Sequence, residues 1–202
     1  MADEYKSFTA LARAEGGNGT FSITCTDRHS SVVIAAPHGG GIEPGTSEIA
    51  KAIAAHDLSY YLFEGRRPGK KLHITSSNFD EPECVRLLKS AATVLTVHGK
   101  AGERKVVYLG GGDEAAQMRM RQFLEEQDFT VCDHADPEMP GTHRSNICNL
   151  GRSGAGVQLE LSRGLRSSFF ASLENRSGRQ KSTPRLEQFA AAIRRALLSN
   201  GL

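Results

Sequence analysis

Two histidines and one carboxylate stand where the chain could hold a divalent cation. In AAPHGGGIEPGTSE an apolar run delivers His38 into three successive glycines, and Glu43 follows five residues later. That spacing does not suit one helical face, on which zinc ligands lie three or four apart. In a loop it requires a sharp bend, which Gly39, Gly40 and Gly41 permit. TVLTVHGK brings a second apolar run to an end on His98, and ligands collect at the carboxyl ends of strands in α/β sheets. His38, Glu43 and His98 would form a two-His, one-carboxylate zinc site for one ion, with a fourth position open to water, as catalytic zinc requires. Such a metal acidifies water and polarises a carbonyl. The plainer reading of either histidine is a hydrogen-bonded turn residue. Glu48 competes as the carboxylate, although the first turn of a helix is its more ordinary place.

Glu160 in GVQLELSRGLR is a carboxylate between two leucines on an apolar run. Burying it unpaired is costly, so it must be paired, protonated or placed at the mouth of a sheet, where it could serve a nearby water as general base. A solvent-facing position on an alternating strand is the alternative. Arg163 and Arg166 follow it, and His143, Arg144 and Asn146 in GTHRSNICN offer donors to a carboxylate or an oxyanion. Asn78, Phe79, Asp80 and Glu81 could shape a pocket or simply cap the helix at Pro82. Asp133 and His134 form a weaker metal pair, because neighbours on an extended chain point opposite ways. GGGDE at 110–114 lacks the phosphate-loop pattern and sets two acids where an anion would lie, which disfavours nucleotide binding.

The elements that must position these residues alternate between β-rich runs and helical patterns. Strands are expected at 20–26, 30–36, 59–65, 71–76, 92–99, 105–112, 129–133 and 156–162. Thr46 or Ser47 should cap a helix reaching Leu58, Pro82 opens one over 82–91, and Asp113 caps one over 114–127. The last helix starts at Pro184. Single-domain α/β architecture follows, with an open mixed parallel and antiparallel sheet and helices on both faces.

The chain has 202 residues, of which 39% are hydrophobic and 21 are glycine, enough for a core independent of metal or disulfides. Cys25, Cys84, Cys132 and Cys148 form no C-x-x-C and read as reduced, mostly buried residues. No apolar run is long enough to span a membrane, and the first residues lack a basic tip and apolar stretch, so cytoplasmic synthesis without a signal peptide and no membrane partner are expected. A net charge of +2 does not favour nucleic acid as a partner. The basic excess between Arg163 and Arg195 reads either as an anion-binding surface or as a solvated face.

Together, APHGGGIEPGTSEIA, LHITSSNFDEPEC, TVLTVHG and NLGRSGAGVQLELSRGLR, in this order over residues 30–166, resemble the poly-γ-glutamate hydrolase family of bacteriophages and bacteria. The resemblance implies a compact relative of the zinc carboxypeptidases. Its His-x-x-x-x-Glu spacing departs from their His-x-x-Glu, so their exopeptidase specificity does not carry over. It further implies zinc ligands at His38, Glu43 and His98, Glu160 as general base, and an anionic γ-glutamyl polymer as substrate, whose carboxylates would be attracted to Arg163 and Arg166; a cationic or amide donor such as Arg144 or Asn146 would stabilise the oxyanion. Action outside cells after lysis is compatible with this reading. Two rivals are a zinc deacylase of small N-acyl amino acids and a noncatalytic polyanion-binding module.

Overall fold

In the computed structural model, residues 3–16, 19–66, 72–133 and 141–199 are described. Seven strands form one sheet: β1 (Phe21–Thr26), β2 (Val32–Gly40), β3 (Ser59–Gly65), β4 (Thr93–Lys100), β5 (Val106–Gly110), β6 (Thr130–Asp133) and β7 (Val157–Ser162). Their spatial order is β1-β3-β2-β4-β7-β5-β6. The central strands β3, β2, β4 and β7 run parallel, β1 is antiparallel to β3, and β5 is antiparallel to β7 while parallel to β6. Every residue of β2 is buried, as a central strand covered on both faces must be.

Side-chain alternation divides the core in two. Val32, Ile34, Leu95, Val97 and Leu159 face one layer, packed against α2 (Thr46–Ala54), α4 (Glu114–Glu125), the short α5 (Arg163–Ser168) and α7 (Pro184–Leu198). Val33, Ala35, Tyr61, Phe63 and Val94 face the other, beneath α1 (Phe8–Glu15) and α3 (Pro82–Ser90). A four-residue helix, α6 (Arg176–Arg179), completes the described α-helices, beside two 3-10 turns at Ser76–Asn78 and Ile147–Asn149. Asp113 caps α4 by accepting the Ala116 N–H, and Pro82 and Pro184 lie in first turns, as their positions predict.

Three expectations are corrected. The described residues of KLHITS, 72–76, form no strand: Ser76 opens a 3-10 turn (Ser76–Asn78), and backbone groups before it are used elsewhere, the Thr75 N–H donating to Asp3 at 2.6 Å and the Ile74 carbonyl meeting a histidine nitrogen of the site. The helix after the glycines is not capped by Thr46 or Ser47, since Gly45 holds the cap position at φ 94°. It also stops at Ala54 rather than Leu58, where Ala55 turns to φ 47° and Arg28 and Arg194 take carbonyls at 53, 55 and 58. The sequence reading does not mark α1, which is one short amphipathic segment capped by Ser7. His134, Pro137 and Pro140 lie outside the described residues. All four cysteines are free, with Cys84 and Cys148 buried. No helix among the described residues is long and apolar enough to cross a membrane.

Candidate active site

The carboxyl ends of β2, β4 and β7 meet at one edge of the sheet, and the polar side chains there share a face. On β4 and β7, His98 and Glu160 are register partners, so both leave the sheet on the same side. His38 reaches that side through a bulge. Between the pairs Ala36–Leu62 and Gly39–Glu64, β2 carries one residue more than β3, which reverses the alternation and turns His38 toward the layer of Val33 and Ala35. Pro37, which has no N–H to give a ladder, lies in this bulge.

The loop then doubles back. Gly40 has φ 66°, a left-handed value suited to glycine, and a Cβ there would fall 2.4 Å from the Gly65 carbonyl oxygen. The Glu43 N–H donates to the His38 carbonyl at 2.7 Å, closing the bend that the spacing requires. Glu43 Oε1 thereby lies 3.3 Å from His38 Nδ1, and Oε2 lies 3.9 Å from His98 Nδ1. The two Nδ1 atoms are 3.1 Å apart. The Gly99 N–H donates to Glu43 Oε2 at 2.8 Å.

The donor set fits a metal ion. Ligand atoms of His38, Glu43 and His98 all lie within 4.8 Å of one another. Bonds of about 2.0–2.2 Å to a tetrahedral zinc would space ligand atoms by about 3.3–3.6 Å, near the separations found. His38 Nε2 lies 2.8 Å from the Ile74 carbonyl, which can only accept, so Nε2 keeps its hydrogen and Nδ1 offers its lone pair inward. Electrostatics agree. Burial pushes Glu43 up, but the His38 ring beside it, with His98 and the Gly99 N–H, holds its carboxyl down at about 2. Burial also works to strip His38 of its proton, yet the Glu43 carboxylate and the Ile74 carbonyl raise it above its ordinary value. His98 is pushed down to about 3 by burial and by the His38 charge. The three side chains thus favour one positive charge at their centre.

A cavity of about 620 Å³ opens over this cluster, lined also by His73, Ser76, Lys100, Asn146, Gln158 and Glu160. Glu160 is 7% exposed, and desolvation, followed by repulsion from Glu43, pushes its carboxyl up to about 8. Gln158 Nε2 donates to Glu160 Oε1 at 3.3 Å, and Asn146 Nδ2 donates to Gln158 Oε1 at 3.0 Å. Asn146 therefore reaches the site chiefly through Gln158. His73 escaped the sequence reading, although it stands in the quoted LHITSS segment. Its ring stacks on His38 with centroids 4.1 Å apart, while its Nδ1 lies 2.7 Å from Asp3 Oδ1.

The arginines lie elsewhere. Arg144 is exposed and does not line the cavity. Arg163 is exposed and pairs with Glu174 and Glu103. Arg166 is buried, and its guanidinium donates to the carbonyls of Leu161, Pro44 and Lys100 at 3.0, 2.5 and 3.1 Å. Arg179 pairs with Glu48, which removes that carboxylate from the metal cluster. Arg194 pairs with Asp57, and Arg195 with Glu126, so much of the basic C-terminal segment ties helices together.

A family model described as poly-gamma-glutamate hydrolase matches residues 5–192. The chain is 39% identical over 184 residues to the SPbeta prophage-derived UPF0714 protein YoqZ of Bacillus subtilis (strain 168), covering 89% of this chain and 66% of that protein. It is 32% identical over 198 residues to the UPF0714 protein YndL of the same organism, covering 96% of this chain and 78% of that protein. Among solved structures, a bacteriophage poly-gamma-glutamate hydrolase superposes with TM-score 0.92 at 30% identity, covering 97% of both chains. The zinc-free apo form of YndL also gives TM-score 0.92, at 31% identity over the whole of both chains.

Proposed function

Because this chain belongs to the poly-γ-glutamate hydrolase family, we propose that it hydrolyses γ-glutamyl amide bonds of an anionic polymer with one zinc ion held by His38, Glu43 and His98. Zinc, when bound, supplies Lewis acidity toward water and toward the scissile carbonyl. The chain's own residues do the rest. Glu160, facing the cluster from β7, takes the proton of the attacking water and returns it to the departing amine. Its buried position favours the protonated form, and neutralising the charge of Glu43 lowers its pKa toward the carboxylate the base needs. Gln158 and Asn146 hold Glu160 in line through their two hydrogen bonds.

The observation that carries this reading is the convergence of His38, Glu43 and His98 in one cavity with Glu160, in a chain matched by the family model over nearly its whole length. The family match over residues 5–192 supports the polymer rather than a small N-acyl amino acid as substrate. Neither Arg163 nor Arg166 lines the cavity, and Arg166 is bound to three backbone carbonyls, so neither is given a part in holding substrate. The test is metal analysis of the dialysed protein alongside a size profile of poly-γ-glutamate after incubation. The wild type should hold one zinc and shorten the polymer, and His38→Ala and His98→Ala should each lose both properties while remaining folded. Normal zinc content in both variants, or polymer left intact by zinc-supplied wild type, would overturn the proposal.

A further inference from the structure

The substrate class proposed above bears a carboxylate on every unit, and the cavity wall around His38, Glu43, His98 and Glu160 must receive the one beside the scissile bond. With the metal site engaged by the water and the scissile carbonyl, that carboxylate calls for a separate cation in the wall. Arg163 and Arg166 are engaged within the fold, and Arg144 is not in the wall. Among the described residues lining the cavity, Lys100 is the one lysine or arginine.

Its place is set by the sheet. Lys100 lies two residues beyond His98 on β4 and so emerges on the same face. Tyr108 is the register partner of Glu160 on β5 and shares that face too. The Lys100 ammonium rests over the Tyr108 ring, 5.6 Å from its centroid, which holds the flexible stem beside Glu160. In a γ-linked glutamate polymer, the amine released at each cleavage is attached to the carbon that bears the α-carboxylate. The group that delivers a proton to that nitrogen therefore has the carboxylate as its near neighbour. The geometry points to Lys100 as the specificity-determining residue that receives the α-carboxylate adjoining the scissile γ-amide. This assignment rests on the hydrolase reading above.

The test pairs two substrates with two variants of the zinc-supplied full chain. On poly-γ-glutamate, Lys100→Gln should lower kcat/KM by about 10- to 100-fold, the worth of one charge-assisted contact, and Lys100→Arg should recover most of it. On the same polymer with its carboxylates methyl-esterified, wild type and Lys100→Gln should be equal. A binding measurement removes turnover: a short γ-linked glutamate oligomer titrated calorimetrically into Glu160→Gln protein should bind about 10- to 100-fold more weakly once Lys100→Gln is added. Equal losses on both polymers, or unchanged oligomer affinity, would overturn the Lys100 assignment alone. Failure of wild type to cleave either polymer would overturn the hydrolase reading and this assignment with it.

Discussion

Replacing Arg166 with methionine separates a brace from a substrate contact. Arg166 is 5% exposed, and its guanidinium donates to three carbonyls drawn from the Glu43 loop, the end of β4 and the end of β7. Those are the segments that present Glu43, His98 and Glu160. Methionine fills much of the stem's volume but donates nothing, so each carbonyl loses a charged donor. At about 1 kcal/mol net per bond the loss is about 3 kcal/mol. For a chain of this size each kcal/mol moves Tm by about 2–4 °C, which places the expected fall at about 6–12 °C in metal-free protein. Arg163→Gln is the contrast. Arg163 is exposed, and its pairs with Glu174 and Glu103 contribute at most about 1 kcal/mol, so Tm should fall by less than about 4 °C. The assay is thermal unfolding of both variants, with kcat/KM on the polymer at several salt concentrations. Salt profiles parallel to wild type are expected for both. An unchanged Tm for Arg166→Met, with a raised KM and a flattened salt dependence, would refute the reasoning and return Arg166 to substrate binding.

Three further outcomes follow from the same geometry. A Cβ at residue 99 would approach Arg166 Cζ to 2.7 Å and Glu43 Cβ to 2.9 Å, so Gly99→Ala should displace a proposed ligand, weakening zinc retention against a chelator and lowering stability by about 1–3 kcal/mol; unchanged retention would argue that Glu43 is no ligand. Glu160→Gln should keep zinc and lose about 10²–10⁴ in rate, and near-normal turnover would assign the base to another group. Asp3 supplies the pH dependence: burial works against its charge, but the Thr75 N–H and His73 hold its carboxyl below its ordinary value, so its contribution is present above about 3.9 and fades as pH falls through the lower folded pKa. Asp3→Asn should therefore melt below wild type at pH 7, with the gap closing in acid, and a gap of equal size at pH 3 would show that this carboxylate plays no such part.

Much of this protein was legible in one dimension because local rules decided it. β-Rich runs became β1–β7, Asp113 caps its helix, and Pro82 and Pro184 open theirs. The His38-to-Glu43 interval demanded a bend, and three glycines supplied the backbone freedom for it. What the local pattern could not carry was everything that depends on partners distant in sequence. KLHITS has strand composition, yet its backbone is claimed by Asp3 and His38. His38 faces His98 only because one extra residue in β2, measured against β3, reverses the side-chain alternation, and a register exists only between paired strands. The arginines looked from composition like an anion-binding surface. Burial and nearby carbonyls made Arg166 a brace, while Lys100, one basic residue among many in the sequence, was brought by the register of β4, β7 and β5 to the wall of the cavity beside Glu160.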